Sequence, residues 1–519
     1  MLLVGALALL LVFALEAAAI ASMDVTVVHK LMGSTWTGKS GRYSGIAFLG
    51  DLDGDGVHST VAMGDRYDAS NTGAVYILDI DPPTGDATQL AKICNGQGGL
   101  PGGTLSTSDY FGSSLAFLGS ALGGSGKDPV LAVGAWRDDT GNTDAGAVHL
   151  MRLSTSGSVS EYMGKLANGL KGIPTGALAA SDLFGHSPWL VGDLGQGPIL
   201  AVGAPWDDSG SASDSGAVHL MRLNATGDAS PYVGKMANGL MGMPPGTLAA
   251  YDYMGQSVAS VQVGSVTLLA AGAPWSDDGG ASDSGAVHIA SMAASGQATY
   301  SHRLANGQGG IPAGTLTSND RFGYALAPLS GMGADGPHLA VGAPGDDNGG
   351  TSTANYGAVY LLRLSSTGTA ISMAKLAPNG QHGMPNGGFP TNTQFGLRLG
   401  ALGFPDGSPG TSALLSRDYA GDNVRMVRFG SPPLPPPSGP VTSANFTRWP
   451  GLLNAAGGQP ITVPAPRWDW LATRPAGPAM MGDRSLNCLG AACQSLPSFQ
   501  AGPFNITRVV DGQEIDLVE

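Results

Sequence analysis

One short phrase recurs along this 519-residue chain and constrains its fold more than any other feature. It reads Leu131-Ala-Val-Gly-Ala135, then Leu200-Ala-Val-Gly-Ala-Pro205, Leu269-Ala-Ala-Gly-Ala-Pro274 and Leu339-Ala-Val-Gly-Ala-Pro344. A degenerate copy, Val61-Ala-Met-Gly64, precedes these, and Ala413-Leu-Leu-Ser416 follows them. The glycines at 64, 134, 203, 272 and 342 lie 70, 69, 69 and 70 residues apart. Each copy leads through an acidic turn into a second phrase: Gly73-Ala-Val-Tyr76, Gly146-Ala-Val-His149, Gly216-Ala-Val-His219, Gly285-Ala-Val-His288 and Gly357-Ala-Val-Tyr360. An aromatic-glycine pair, or a relative of one, comes before each copy, as in Ser44-Gly45, Phe111-Gly112, Phe184-Gly185, Met254-Gly255, Phe322-Gly323 and Phe395-Gly396. Such regularity marks repeated supersecondary units that stack on one another.

Within a unit the pattern predicts four short strands, over 111–118, 130–134, 145–153 and about 161–167 in the second unit. A small antiparallel sheet cannot bury both of its faces alone, whereas radial stacking buries both and leaves only short edges. The fourth strand carries a base followed by an aliphatic residue: Lys92-Ile93, Lys165-Leu166, Lys235-Met236, Arg303-Leu304 and Lys375-Leu376. A sixth copy, Lys30-Leu31, precedes the first unit, and the last unit has no fourth strand of its own. The expected fold is therefore an all-β propeller of six four-stranded blades, closed by the N-terminal strand.

Composition agrees. Glycine (82) and proline (35) suit many turns, and charged residues at 12% leave little for long solvated helices. Acids outnumber bases 39 to 25, and the net charge of −14 argues against nucleic acid or an anionic membrane as a partner.

Residues 1–21 read as a signal peptide: an uncharged apolar run over 2–15, then Ala19-Ile20-Ala21 before Ser22. No Lys or Arg precedes the run, which leaves open that it stays as an anchor, and no later segment is apolar enough to span a bilayer. Sequons at Asn224, Asn445 and Asn505 fit a secreted route. Cys488 and Cys493 are close enough in sequence to form a disulfide, which leaves Cys94 over. The expected organisation is a propeller over 24–430, a proline-rich linker over 431–440, and a C-terminal segment over 441–519 that is small for a core of its own.

These repeats resemble the FG-GAP repeats of the integrin α-subunit propeller, over about four-fifths of the chain. Integrin propellers have seven blades, so the resemblance leaves six or seven open here. It implies an extracellular binding or adhesion protein with a protein or matrix ligand; the alternative is a secreted glycan-binding propeller of the cell wall or surface. The family places a calcium loop between strands one and two. Asp51, Asp53, Asp55, Val57 and Ser59 match it in the first unit, with Ser59 where the pattern has Asp. An Asp/Gly hairpin turn is the other reading of that loop. The resemblance also places ligands on the face formed by the loops joining strands two to three and four to one. The candidates there are Trp206, Asp207, Asp208, Trp275, Asp277, Asp278, Asp346 and Asp347. Their recurrence equally suits turn-capping carboxylates and tryptophans packed between blades. His149, His219 and His288 align with Tyr76 and Tyr360, so they read as packing residues. With no catalytic or phosphate-binding motif in view, no enzymatic activity is expected.

Overall fold

The computed structural model describes residues 25–31, 45–54, 59–80, 87–123, 128–209, 212–329, 338–348, 355–377, 391–403, 412–417, 424–429, 486–488, 504–510 and 513–516. The chain divides into two units, Met1–Gly430 and Ser431–Glu519. The first begins with β1 (Val25–Leu31), followed by β2 (Ile46–Gly50), β3 (Ser59–Asp65), β4 (Ala74–Ile80) and β5 (Ala87–Ile93). The second blade holds β6 (Ser114–Gly119), β7 (Val130–Ala135), β8 (Ala147–Leu153) and β9 (Val159–Leu166). The third holds β10 (Ser187–Asp193), β11 (Pro198–Ala204), β12 (Ala217–Leu223) and β13 (Ala229–Met236). The fourth holds β14 (Ser257–Val263), β15 (Val266–Ala273), β16 (Ala286–Met292) and β17 (Ala298–Ala305). The fifth holds β18 (Ala325–Leu329), β19 (His338–Ala343), β20 (Ala358–Leu364) and β21 (Ala370–Leu376). Last come β22 (Arg398–Gly403), β23 (Ser412–Arg417) and β24 (Val424–Phe429).

The fold is an all-β propeller. Among the described residues, blades made of four consecutive antiparallel strands number five, rather than the six or seven expected. The last three strands are completed by the N-terminal strand, as the sequence predicts, in a composite sheet of order β1-β24-β23-β22, with Val28 opposite Val427 and Leu31 opposite Val424. The first strands β2, β6, β10, β14, β18 and β22 touch in cyclic order around the axis. Strand starts differ in detail from expectation: Phe111-Gly112 precedes β6, and Phe111 bridges to Gly73 of the blade before. In the second unit, β25 (Leu486–Cys488), β26 (Phe504–Val510) and β27 (Gln513–Asp516) form a three-stranded sheet.

The core lies between blades. One apolar cluster joins Val148, Leu150 and Leu166 of the second blade to Leu200, Val202 and Met221 of the third. Another joins Val287, Ile289 and Leu304 of the fourth to Leu339, Val341 and Tyr360 of the fifth. Strands such as β7, β11 and β19 are therefore buried along their whole length, while β9 alternates because it lies at the blade's outer edge.

The repeat glycines are explained by backbone contact. A β-carbon on Gly134 would run into the carbonyl of Gly185 in the next blade, and the same clash recurs for Gly203 with Gly255, Gly272 with Gly323 and Gly342 with Gly396. The strand-two glycine and the next unit's aromatic-glycine pair are thus two halves of one blade-to-blade contact. Phe111, Phe184, Phe322 and Phe395 are fully buried beside it. Replacing Gly203 with Ala should therefore cost about 2 kcal/mol or more, because backbone on both sides must shift. Gly102→Ala, whose nearest atom would be 3.9 Å away, should stay within about 0.5 kcal/mol. Chemical denaturation of the two variants checks the contrast.

Candidate functional site

The two loops of interest meet across blade boundaries through backbone hydrogen bonds. Ser181 and Leu183, just before the third blade, donate to Thr143 O and Asp144 O at the end of the second blade's turn (2.9 and 3.3 Å). Tyr251 and Tyr253 repeat this with Ser213 and Asp214, and Asn319 and Arg321 with Ser282 and Asp283. To do so, Tyr110, Leu183, Tyr253, Arg321 and Gln394 all adopt φ between 54° and 57°. Each such non-glycine residue costs about 1 kcal/mol. Two positions earlier Ser108, Ser181, Tyr251, Asn319 and Asn392 are left-handed as well, with φ of 62–71°, so the fold carries this cost twice in each of these loops.

Under the loops each of the five blades of consecutive strands carries an ion pair whose carboxylate is largely withdrawn from solvent. Asp68 accepts from Lys92 Nζ (2.9 Å) and Tyr76 Oη (2.6 Å). Asp138 pairs with Lys165 (2.6 Å) and lies 3.7 Å from His149 Nε2; Asp207 pairs with Lys235 (2.6 Å) and lies 3.5 Å from His219 Nε2. Asp346 pairs with Lys375 (2.7 Å) and accepts from Tyr360 Oη (2.7 Å). The acidic turn, the strand-three His or Tyr and the strand-four base are therefore one constellation. The fourth blade solves it in reverse order. Ser276 takes the position of Asp207 and donates to Asp278, which pairs with Arg303 at 2.7 Å, whereas in the third blade Ser209 donates to Asp207. His288 is left buried with neither ring nitrogen bonded, and burial with the field of Arg303 pushes it down to about 3.

These pairs set the electrostatics. Burial alone would raise the Asp207 carboxyl, but His219 and Lys235 bring it down to about 2, and Asp138 is held low in the same way. A second buried carboxylate sits nearby in four units: Asp109, Asp182, Asp252 and Asp320. Their backbone donors are the N–H groups of Ser106, Ala179, Ala249 and Thr317, at 2.7–2.9 Å. Burial, with the charge of the neighbouring Asp138, Asp207, Asp278 or Asp346, pushes each up to about 6.

The predicted ligand residues thus separate into two groups. Asp207, Asp278 and Asp346 are buried in ion pairs rather than displayed, because the strand-four base draws each inward. Asp208, Asp277 and Asp347 point the other way and brace the turn. Their Oδ1 atoms accept from the N–H groups of Asp214, Asp283 and Asn355 at 2.7–2.8 Å. Trp206 is 40% exposed, and Trp275 is half-buried against Tyr253 (5.1 Å) and Tyr324 (5.6 Å). His149 and His219 stack edge-on to Phe111 and Phe184, at 5.3 and 5.4 Å, as packing residues do.

Aromatic and cationic residues missed in the sequence complete the face. Tyr251, 55% exposed, and Tyr253 wall a concavity of about 540 Å³ with Trp275, and Asp277, Asp283 and Arg303 lie at its edge. A narrower channel of about 240 Å³ follows the axis between the first strands, with His186, Gln256, Tyr324 and Arg398 among its walls. The signal available in sequence was position: Tyr110, Tyr253 and Arg321 each immediately precede an aromatic-glycine pair or its Met-Gly equivalent.

Of the calcium-loop candidates, Asp51 accepts from Gly54 N at 2.7 Å, as in a capped turn, and Asp53 is exposed. Asp55 and Val57, and the side chain of Ser59, lie outside the described residues. Among the described residues no three His, Cys, Asp or Glu side chains are grouped to hold a metal. Asn224 is exposed at the turn between β12 and β13, and Asn505 lies in β26 opposite Asp516. Asn445 and Cys493 are outside the described residues; Cys488 lies in β25, and Cys94 is a free, half-buried thiol.

Removing one partner of a buried pair should far outweigh loss of a turn brace. Asp207→Ala should cost about 3–5 kcal/mol, against about 1 kcal/mol for Asp208→Ala, read by denaturant midpoints. The buried loop carboxylates set a pH dependence of known sign. Their folded-state pKa is raised, so the folded chain holds more protons than the unfolded chain between the ordinary aspartate value of 3.8 and about 6. Their contribution is fully present below that window and is lost as pH rises through about 6. The depressed Asp207 acts oppositely, its contribution being lost as pH falls through about 2. Melting temperature should therefore decline as pH rises from about 4 to about 7, and Asp182→Asn should flatten that decline.

No family model matches the chain, and no curated protein does. Among solved structures, a periplasmic gluconolactonase of Pseudomonas aeruginosa is similar at 15% identity and a TM-score of 0.39, covering 77% of this chain and 89% of that one. The matched protein is an enzyme, so the expectation that no enzymatic activity attaches to this chain does not stand on the comparisons. At this likeness the match assigns no activity here.

Proposed function

We propose that the chain is a secreted glycan-binding propeller, with repeats of the FG-GAP type, acting at the cell surface or wall. The observation that carries this reading is the concavity walled by Tyr251, Tyr253 and Trp275, with Asp277, Asp283 and Arg303 around it. Aromatic faces offer stacking area to the apolar face of a sugar ring, while carboxylates and a guanidinium accept from and donate to its hydroxyls. A ligand held through a shared cation would instead need free carboxylates, and Asp207, Asp278 and Asp346 are already neutralised by their bases. The apolar run over 2–15 and the exposed Asn224 sequon support an extracellular address.

A second reading, adhesion to a protein or matrix ligand with calcium in the 51–59 loop, is supported by the alternating Asp51, Asp53 and Asp55 and by the solvent exposure of Asp53. Two measurements separate the readings. On a glycan array, Trp275→Ala should weaken binding about tenfold or more, while chelator leaves binding unchanged. Calcium calorimetry on the wild type and Asp53→Ala should show no saturable heat. A bound ion lost in Asp53→Ala, together with chelator-sensitive attachment to a protein ligand, would favour adhesion instead.

A further inference from the structure

The repeat symmetry is broken most strongly at the first two blades, on the same face. Where the third to fifth units have Pro205, Pro274 and Pro344, the first has Arg66 and the second Trp136. Where the third and fourth have Trp206 and Trp275, the second has Arg137. Turn chemistry keeps repeat symmetry, whereas a ligand, which engages only part of a ring, gives a reason to break it.

The substituted residues converge. The Arg137 guanidinium lies 5.4 Å from the Tyr110 ring and 5.3 Å from Trp136, and the Arg66 guanidinium lies 5.4 Å from each of the same rings and 4.7 Å from Tyr67. Two cations thus share two aromatic platforms, in a chain whose net charge is −14. The nearby acids are committed elsewhere: Asp138 to Lys165 and His149, Asp139 to the N–H of Asp144, and Asp109 to that of Ser106. Among the described residues Arg137 makes no ion pair, and its Nε is buried without an acceptor. His186, 5.9 Å from Trp136, is kept neutral chiefly by burial, with the fields of Arg398 and Arg66 acting in the same direction. A partly exposed guanidinium stacked between aromatic rings, with its fork unpaired, is suited to bidentate capture of a planar or tetrahedral oxoanion.

We propose that Arg137, with Arg66 beside it, anchors the carboxylate or sulfate group of an acidic polysaccharide whose sugar rings stack on Tyr110 and Trp136. The inference rests on the glycan reading and adds the charge of the ligand and a second subsite, on different blades from the Trp275 concavity.

The test is calorimetry of the full chain with oligogalacturonate, dextran sulfate and a panel of neutral oligosaccharides. One of the two anionic probes should bind, and which one binds distinguishes a carboxylate from a sulfate source. Arg137→Gln should weaken that binding about tenfold or more at unchanged melting temperature. Arg137→Lys should fall between, having the charge without the fork. Raising salt from about 50 to about 500 mM should weaken the wild type and affect Arg137→Gln less. Equal binding of the anionic probes by wild type and Arg137→Gln, or no binding of either probe, overturns the proposal. If neutral oligosaccharides bind and Trp275→Ala abolishes it while Arg137→Gln does not, the glycan reading survives and this inference fails. Binding of no saccharide at all removes both.

Discussion

Each blade is fixed to the next where a backbone carbonyl occupies the space a β-carbon would take, as with Gly203 and the carbonyl of Gly255. This contact sets how closely neighbouring sheets approach, and so the thickness of the apolar layers between them. It also fixes the direction in which the chain enters the next blade. The paired loops, their positive-φ residues and the face they form all follow from that entry point.

The buried ion pairs are the second level of support. A turn rich in acids cannot pack beside a sheet edge unless its inward carboxylate is neutralised, since an isolated buried charge costs several kcal/mol. The strand-four base meets that need in every complete blade, joined by a Tyr hydroxyl donor in the first and fifth. The fourth blade exchanges Asp and Ser, and the longer Arg303 still reaches the displaced carboxylate. Two different sequences thereby reach one arrangement, which indicates that the charge pair, rather than any single residue, is what the fold requires. With these acids withdrawn into pairs, the exposed chemistry of the face belongs to aromatics, arginines and the outer turn carboxylates.

Much of this was legible in the sequence. The period near seventy residues, the short strands between turn residues, and the Lys30-Leu31 copy of the fourth-strand pattern in β1 all follow from local rules, because strand patterning and turn chemistry act over a few residues. The glycine phrase and the aromatic-glycine pair were visible as separate signatures. That they touch was not, since the partners lie about fifty residues apart and belong to different blades. The acidic turns were read as a displayed ring, and half of that ring proved to be inward-facing. Spacing of two residues along a turn does not reveal which carboxylate meets a base some 28 residues away.

The sequence by itself determined that this chain builds repeated four-stranded sheets needing neighbours on both faces, because hydrophobic periodicity and turn residues are local properties. Only the tertiary structure decided which charges are spent on stability and which remain for a partner. Asp207 and Asp208 are adjacent and chemically identical, yet one is buried against Lys235 and the other braces a solvent-facing turn. Likewise, Arg137 and Lys165 are both cations of the second blade, but only Lys165 has an acid within reach. Burial and pairing are relations among distant residues, and they exist only once the blades have closed around their axis.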